Sequence, residues 1–327
     1  MTLSSVECRV LTPYGHDISS VFSALQQKKT VATTLPHYLS PSNRSGALVP
    51  IQVGIIPTLS ATIKPMERIL ALLQGTLMPL LKVNQACSTQ NSKTENSDHL
   101  LIMIVLPAKN GVRYAYCSEK KIQEYVINHL NTVEHVSITF RFLHEDEDLI
   151  SAFLQAQTKL HQGSCDRLIF GGVDSFLTVK AIRDFEAKQS IRKEGNPDAP
   201  LLGEGAAFIC IYNQAPLLAK AVDTSNTLSN MPNSPYWITN RSVRLRAEFE
   251  WYESMRHYPC FQDLKELNLQ KWLGHLGAAQ FPLQVALGFY WANTHEIGAA
   301  SPIILHNENT KKQMVLQKYR CFQRDIY

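Results

Sequence analysis

The stretch GSCDRLIFGGVDS, Gly163 to Ser175, decides how this 327-residue chain is read. Gly163-Ser164 ends a preceding helix, and Leu168-Ile169-Phe170 is apolar without alternation, as a strand buried on both faces requires. Gly171-Gly172 follows directly and lets neighbouring groups approach where a larger residue would clash. Upstream, the acid run Glu145-Asp146-Glu147-Asp148 opens a helix through Leu149, Phe153, Ala156 and Leu160, its carboxylates complementing the helix dipole. Before that helix, His135–Leu143 reads as a strand with Val136, Ile138, Phe140 and Phe142 on one parity, Ser118–Leu130 as a helix, and Leu100–Pro107 as a buried strand.

The same reading extends to both ends. Val6–Leu11 is a strand, Thr12-Pro13-Tyr14-Gly15 a turn, and Asp17 the cap of a helix bearing Ile18, Val21, Phe22 and Leu25. Ile63–Lys82 has helical spacing, whereas Gln85–Asp98 is polar throughout and reads as an exposed loop. Downstream, Leu177–Phe185 is a helix, and LLGEGAAFICIY, Leu201 to Tyr212, leads into a strand. Leu217–Val222 reads as its hairpin partner, and Tyr236–Asn240 as a short strand beyond the polar loop Asp223–Pro235. Alternating strands and helices specify a layered α/β architecture.

Lys and Arg number 32 against 28 Asp and Glu, a balance of +4 that is too slight to argue for nucleic acid or a membrane surface. Seven cysteines are scattered without metal-ligand spacing or a disulfide framework, as expected of free thiols in a reducing cytosol. The first residues lack a basic segment followed by a long apolar run, and the longest apolar stretch, Leu100–Leu106, is too short to cross a bilayer. The expectation is a soluble cytoplasmic protein. GxxxxGK[ST], HExxH and GxSxG are all absent from the sequence, so no cofactor and no metal are implied.

Taken together, GGVDS (Gly171 to Ser175), GEGAA (Gly203 to Ala207), LGHLGAA (Leu273 to Ala279) and the TPYG turn resemble the β-ketoacyl synthase branch of the thiolase superfamily. The resemblance implies a five-layer α-β-α-β-α architecture of two similar halves. Residues 1–222 would form the first half and residues 236–327 a truncated second half, packed as one unit. It also implies a framework role for Gly171, Gly172, Asp174, Gly203, Glu204, Gly205, Gly274 and Gly277, with Gly203-Glu204-Gly205 as a turn element.

Enzymes of that family use a cysteine at the N-terminus of a buried helix and two histidines or a His-Asn pair. Counting back from Gly171 by the family's spacing lands on or beside Asp146, in FLHEDEDLISAF, which contains no cysteine. The first histidine's loop should follow Tyr236–Asn240, but RSVRLRAEFEWYESMRHY has no His-Gly-Thr and only His257 nearby. LGHLGAA retains a histidine, His275, with Lys271 upstream, though one residue is missing between His275 and Leu276. His144, Asp146, Lys271 and His275 are therefore vestigial-site positions, and His275 reads as a leftover among small residues kept for packing. Frame without chemistry implies a catalytically inactive, protein-binding chain. Its partner would be a second thiolase-like chain, as homodimer or heterodimer, or a secreted effector of a type VI system that it accompanies as chaperone or adaptor. The competing reading is a divergent acyl-transferring or thioester-hydrolysing enzyme using His275 with His144 or Asp146.

Overall fold

A computed structural model describes residues 6–59, 63–91, 98–130, 136–212, 217–222, 236–241, 245–256, 265–294, 303–307 and 312–318. The elements are β1 (Val6–Leu11), α1 (Ile18–Gln26), β2 (Thr33–Pro41), β3 (Leu48–Gly54), α2 (Pro65–Asn91), β4 (Asp98–Leu106), α3 (Glu119–Leu130), β5 (Val136–His144), α4 (Leu149–His161), β6 (Arg167–Ser175), α5 (Val179–Ala187), β7 (Leu202–Tyr212) and β8 (Leu217–Val222). They continue with β9 (Tyr236–Thr239), α6 (Leu245–Met255), β10 (Lys265–Asn268), α7 (Leu269–Trp272), α8 (Gln280–Thr294), β11 (Ile303–Asn307) and β12 (Lys312–Lys318).

Strand β6 is buried along its whole length and runs parallel to β4 and antiparallel to β7. It lies inside a seven-stranded sheet of order β2-β3-β7-β6-β4-β5, with β1 also paired to β7. Alternation along β4 shows why both faces must be covered. Leu100, Ile102, Ile104 and Leu106 pack with residues of α2 and α3, while Leu101, Met103 and Val105 pack with residues of α4 and α8. On the far side of α4 and α8 lies a second sheet, of order β10-β9-β11-β12-β8, whose Ile238, Leu267, Leu305 and Met314 join the same core. Its other face carries Trp237, edge-on to Trp251 of α6 at 6.4 Å. The layers are thus α2/α3, first sheet, α4/α8, second sheet and α6, the expected five.

Several local expectations match. Asp17 caps α1 by accepting the Ser20 N–H at 3.0 Å, and the TPYG turn closes through paired Thr12–Gly15 backbone bonds. Three do not. Gln85–Asn91 continues α2, because nothing between Pro79 and Asn91 breaks a helix and polarity alone does not make a loop. Gly203-Glu204-Gly205 is extended backbone inside β7, not a turn. Strand β8 pairs with β12 in the second sheet, not with β7, whose two sides are occupied by β6 and by β1 and β3. The chain therefore passes from the first sheet to the second between β7 and β8.

The glycine pair behaves as its position requires. A Cβ on Gly171 would overlap the Phe208 ring of β7, and one on Gly172 would overlap the Ala278 carbonyl oxygen. Gly171→Ala should therefore destabilise the protein by about 3 kcal/mol or more, as overpacking without room to relax does. A urea midpoint within error of wild type would show that Phe208 can move aside.

Candidate functional site

Two carboxylates stand where the carboxyl end of β6 meets the amino end of β7, one on each face of the sheet. Glu204, fully buried, is bonded by the Arg68 guanidinium of α2, accepts the Ile56 N–H at 3.1 Å and accepts the Ser175 hydroxyl at 3.1 Å. Asp174, 1% exposed, is bonded on the other face by the Arg113 guanidinium and by the Ala278 N–H at 3.0 Å. Arg113 comes from the segment joining β4 to α3, just ahead of the single turn Tyr114–Tyr116. The same guanidinium pairs with Glu145, in the turn between β5 and α4, and lies over the Phe176 ring at 4.0 Å.

Arg113 thus ties together the ends of β6 and β5 and the loop that carries His275. Burial lowers its pKa while Glu145 opposes the change, and a guanidinium remains charged under such influences. The nearby Cys117 is buried and, like Arg113, belongs to the β4–α3 connection. Burial pushes its thiol up to about 12, against the opposing pull of Arg113, so it is held as a thiol rather than the nucleophilic thiolate.

His275 is half-buried and tilted against Phe176 with ring centroids 4.6 Å apart. Its backbone bonds that of β7: the His275 N–H donates to the Leu201 carbonyl at 2.7 Å, and the Gly203 N–H donates to the His275 carbonyl at 3.1 Å. Burial first, and the Arg113 charge second, pull its pKa down to about 3. Gly277 follows at φ +53, and a Cβ there would overlap both Asp174 and Arg113. Gly274, at φ +88, passes beneath the Leu201 carbonyl, while Gly203 and Gly205 pack against Leu276 and the Leu11 carbonyl.

The other vestigial positions do not converge with His275. His144 is bonded to the Pro107 carbonyl at 2.9 Å, faces Glu119 at 3.3 Å and lies edge-on to Tyr114, so it shares no partner with His275. Asp146 is exposed in the turn, and helix α4 is capped two residues later by Asp148, which accepts the Ser151 N–H at 3.2 Å. Lys271 points to Glu248 of α6 at 3.3 Å. His257 lies outside the described residues. Sequence reading missed Arg113, Arg68 and Phe176. The available signal was indirect, since Asp174 and Glu204 sit in strands otherwise too apolar to hold an uncompensated charge.

Among the described residues no group of three His, Cys, Asp or Glu is placed to hold a metal ion, and no helix is long and apolar enough to cross a membrane. A shallow cavity of about 450 Å³ lies between Tyr14, Lys29 and the Ser19–Ala24 face of α1, lined by none of these site residues.

Folded His275 stays neutral down to about pH 3, whereas the unfolded chain takes up its proton near the ordinary value of 6.5. The unfolded state binds more protons between those values, so the stability tied to His275 is complete above 6.5 and lost as pH falls toward 3. The urea midpoint of wild type should drop over that window more steeply than that of His275→Gln. Parallel pH profiles would refute a neutral imidazole in the folded state.

No protein-family model matches the sequence, and no curated protein matches it. Solved structures do. The ketosynthase from module 6 of the bacillaene synthase of Bacillus subtilis 168 aligns over 96% of this chain and 72% of its own, at TM-score 0.60 and 11% identity. A β-ketoacyl synthase from Burkholderia phymatum STM815 aligns over 97% and 100%, at TM-score 0.54 and 10% identity. The ishigamide ketosynthase/chain length factor aligns over 94% and 96%, at TM-score 0.52 and 14% identity. The frame that holds Asp174, Glu204 and His275 thus has the fold of these ketosynthases.

Proposed function

We propose that this chain is a catalytically inactive ketosynthase-like protein that acts by binding another protein. The observation that carries the reading is the Arg113 guanidinium, held between Glu145 and Asp174 where the resemblance would seat the acylated thiol. A nucleophile there would have to work beside two carboxylates and a bound arginine, with an exposed aspartate in place of its cysteine. His275 has its Nδ1 engaged by the Gly277 N–H at 3.1 Å and its pKa far below neutrality, so it is a poor base. Incubated with malonyl- and acyl-carrier proteins, the protein should neither gain an acyl group nor release carbon dioxide from malonyl thioester. Intact-mass detection of an adduct between Phe140 and Ser151 would restore the enzyme reading.

The partner surface in this reading is β5. Among the described residues it pairs with β4 alone and closes its end of the first sheet. Ser137, Thr139 and Arg141 are exposed on one parity, while Phe140 and Phe142 on the other are only half-buried and stacked at 6.4 Å. An open edge of this kind invites pairing with another chain. We expect an obligate dimer, with itself or with a related thiolase-like chain, burying roughly 2,000 Å² or more. Sedimentation should find no monodisperse monomer at micromolar concentration, and Phe140→Asp should give insoluble protein; a stable wild-type monomer would remove β5 from this role. Affinity purification from native cells separates the assignments. A captured chain with an intact Cys-His-His set indicates a condensing-enzyme heterodimer, whereas a partner without ketosynthase resemblance indicates a chaperone or adaptor, such as one for a type VI secretion effector.

A further inference from the structure

The cavity beside α1 shares no lining residue with the Arg113 site, and the bonds its walls already make decide what they have left to offer. Helix α1 opens at Asp17, whose Oδ2 accepts the Ser20 N–H at 3.0 Å, the Ser20 hydroxyl at 2.9 Å and the Ser19 hydroxyl. A serine hydroxyl has one proton, so Ser19 and Ser20 are left with acceptor capacity alone. Ser23, one turn on, is the reverse. Its oxygen accepts the Gln27 side-chain N–H at 3.0 Å, which leaves its own proton to donate.

Lys29 is brought to the cavity by the way the helix ends. The Lys28 N–H bonds the Leu25 carbonyl and the Lys29 N–H the Ala24 carbonyl, each at 3.1 Å, with Lys28 at φ +54. That is the left-handed stop usually given to glycine, and it folds the chain back on the last turn. The Tyr14 hydroxyl then bonds the Lys29 carbonyl and lies 3.1 Å from the Trp272 carbonyl. Lys29 is thus held at both its backbone N–H and its carbonyl, and Tyr14, its hydroxyl engaged, offers the cavity ring surface. No carboxylate pairs with the Lys29 ammonium among the described residues.

The cavity of about 450 Å³ therefore has acceptors at Ser19 and Ser20, donors at Ser23 and Lys29, and an aromatic ring. A bare anion leaves the acceptors unused, and a neutral polyol leaves the ammonium without a counter-charge. The Asp17 carboxylate repels negative charge from the acceptor end and so sets the direction of anything bound. We propose that this cavity binds a phosphorylated sugar, with the phosphate on Lys29 and Ser23 and the sugar hydroxyls donating to Ser19 and Ser20. Three phosphate oxygens let the ammonium and the Ser23 hydroxyl be met together, and the C–H face of the sugar lies against the Tyr14 ring. The site is independent of β5 and of whether the protein is inactive.

Saturation-transfer NMR on the wild-type protein tests this with glucose 6-phosphate and ribose 5-phosphate, against glucose and inorganic phosphate alone, the last followed by phosphorus line width. At least one sugar phosphate should bind roughly tenfold or more tightly than either fragment. Lys29→Ala, at an exposed position, should weaken that sugar phosphate by about tenfold while leaving glucose and the melting temperature unchanged. Failure of both sugar phosphates to bind, inorganic phosphate or glucose binding as tightly, or full affinity in Lys29→Ala would overturn the proposal; the wild-type comparison decides even if the variant fails to fold.

Discussion

The neutralisation of Asp174 and Glu204 is the constraint on which the rest of the structure depends. They lie at neighbouring positions of β6 and β7 but face opposite layers, because Ser175 pairs with Glu204 and Asp174 with Gly205. Each is essentially withdrawn from water, and a carboxylate in such surroundings is tolerable only with a charged, hydrogen-bonded partner. Arg68 supplies it from α2 and Arg113 from the β4–α3 connection. These two arginines therefore fix how the outer helices and the site loops sit on the sheet. Buried pairs add little net stability compared with apolar packing, yet removing one partner typically costs about 3–5 kcal/mol. Their effect is on geometry.

That geometry bears on chemistry. Arg113 serves two carboxylates and one aromatic face at once, which leaves its guanidinium little freedom to receive a substrate. The acid run before α4 is accordingly divided in its duties. Asp148 caps the helix, Glu145 turns inward to Arg113 and also accepts the Ala108 N–H at 3.3 Å, and Glu147 accepts the His144 N–H at 3.1 Å. Reading all four as complements of the helix dipole captured Asp148 and missed the inward turn of Glu145.

Much of the fold was legible because it rests on local pattern. The unalternating apolar run of β6, the helical spacing of α2 and α4 and the Asp17 cap each follow from a few consecutive residues. What was not legible depends on distant partners. The pairing of β8 with β12 joins residues roughly a hundred positions apart, and a short connection after β7 favoured the wrong hairpin. Arg113 sits in a loop with no motif around it, so only the unexplained charge of Asp174 pointed toward a cation. His275 read as a leftover; in the fold its ring lies tilted against Phe176 and its Nδ1 accepts the Gly277 N–H.

The stretches that resemble ketosynthases are also those that touch one another. Gly172 of GGVDS lies against the carbonyl of Ala278 in LGHLGAA, and Asp174 accepts the Ala278 N–H. Gly203 of GEGAA donates to the His275 carbonyl, and the Leu201 carbonyl accepts from His275. Gly277 makes room for the Asp174–Arg113 pair. These residues form one joint between β6, β7 and the loop ahead of α8, where there is space for glycine and alanine and little else. The joint's demands are steric and do not involve the position of Asp146, which is exposed and takes no part in it. The motifs at this joint are thus explained by close packing: glycine at Gly172, Gly203 and Gly277 is what the contacts with the LGHLGAA loop and the Asp174–Arg113 pair leave room for.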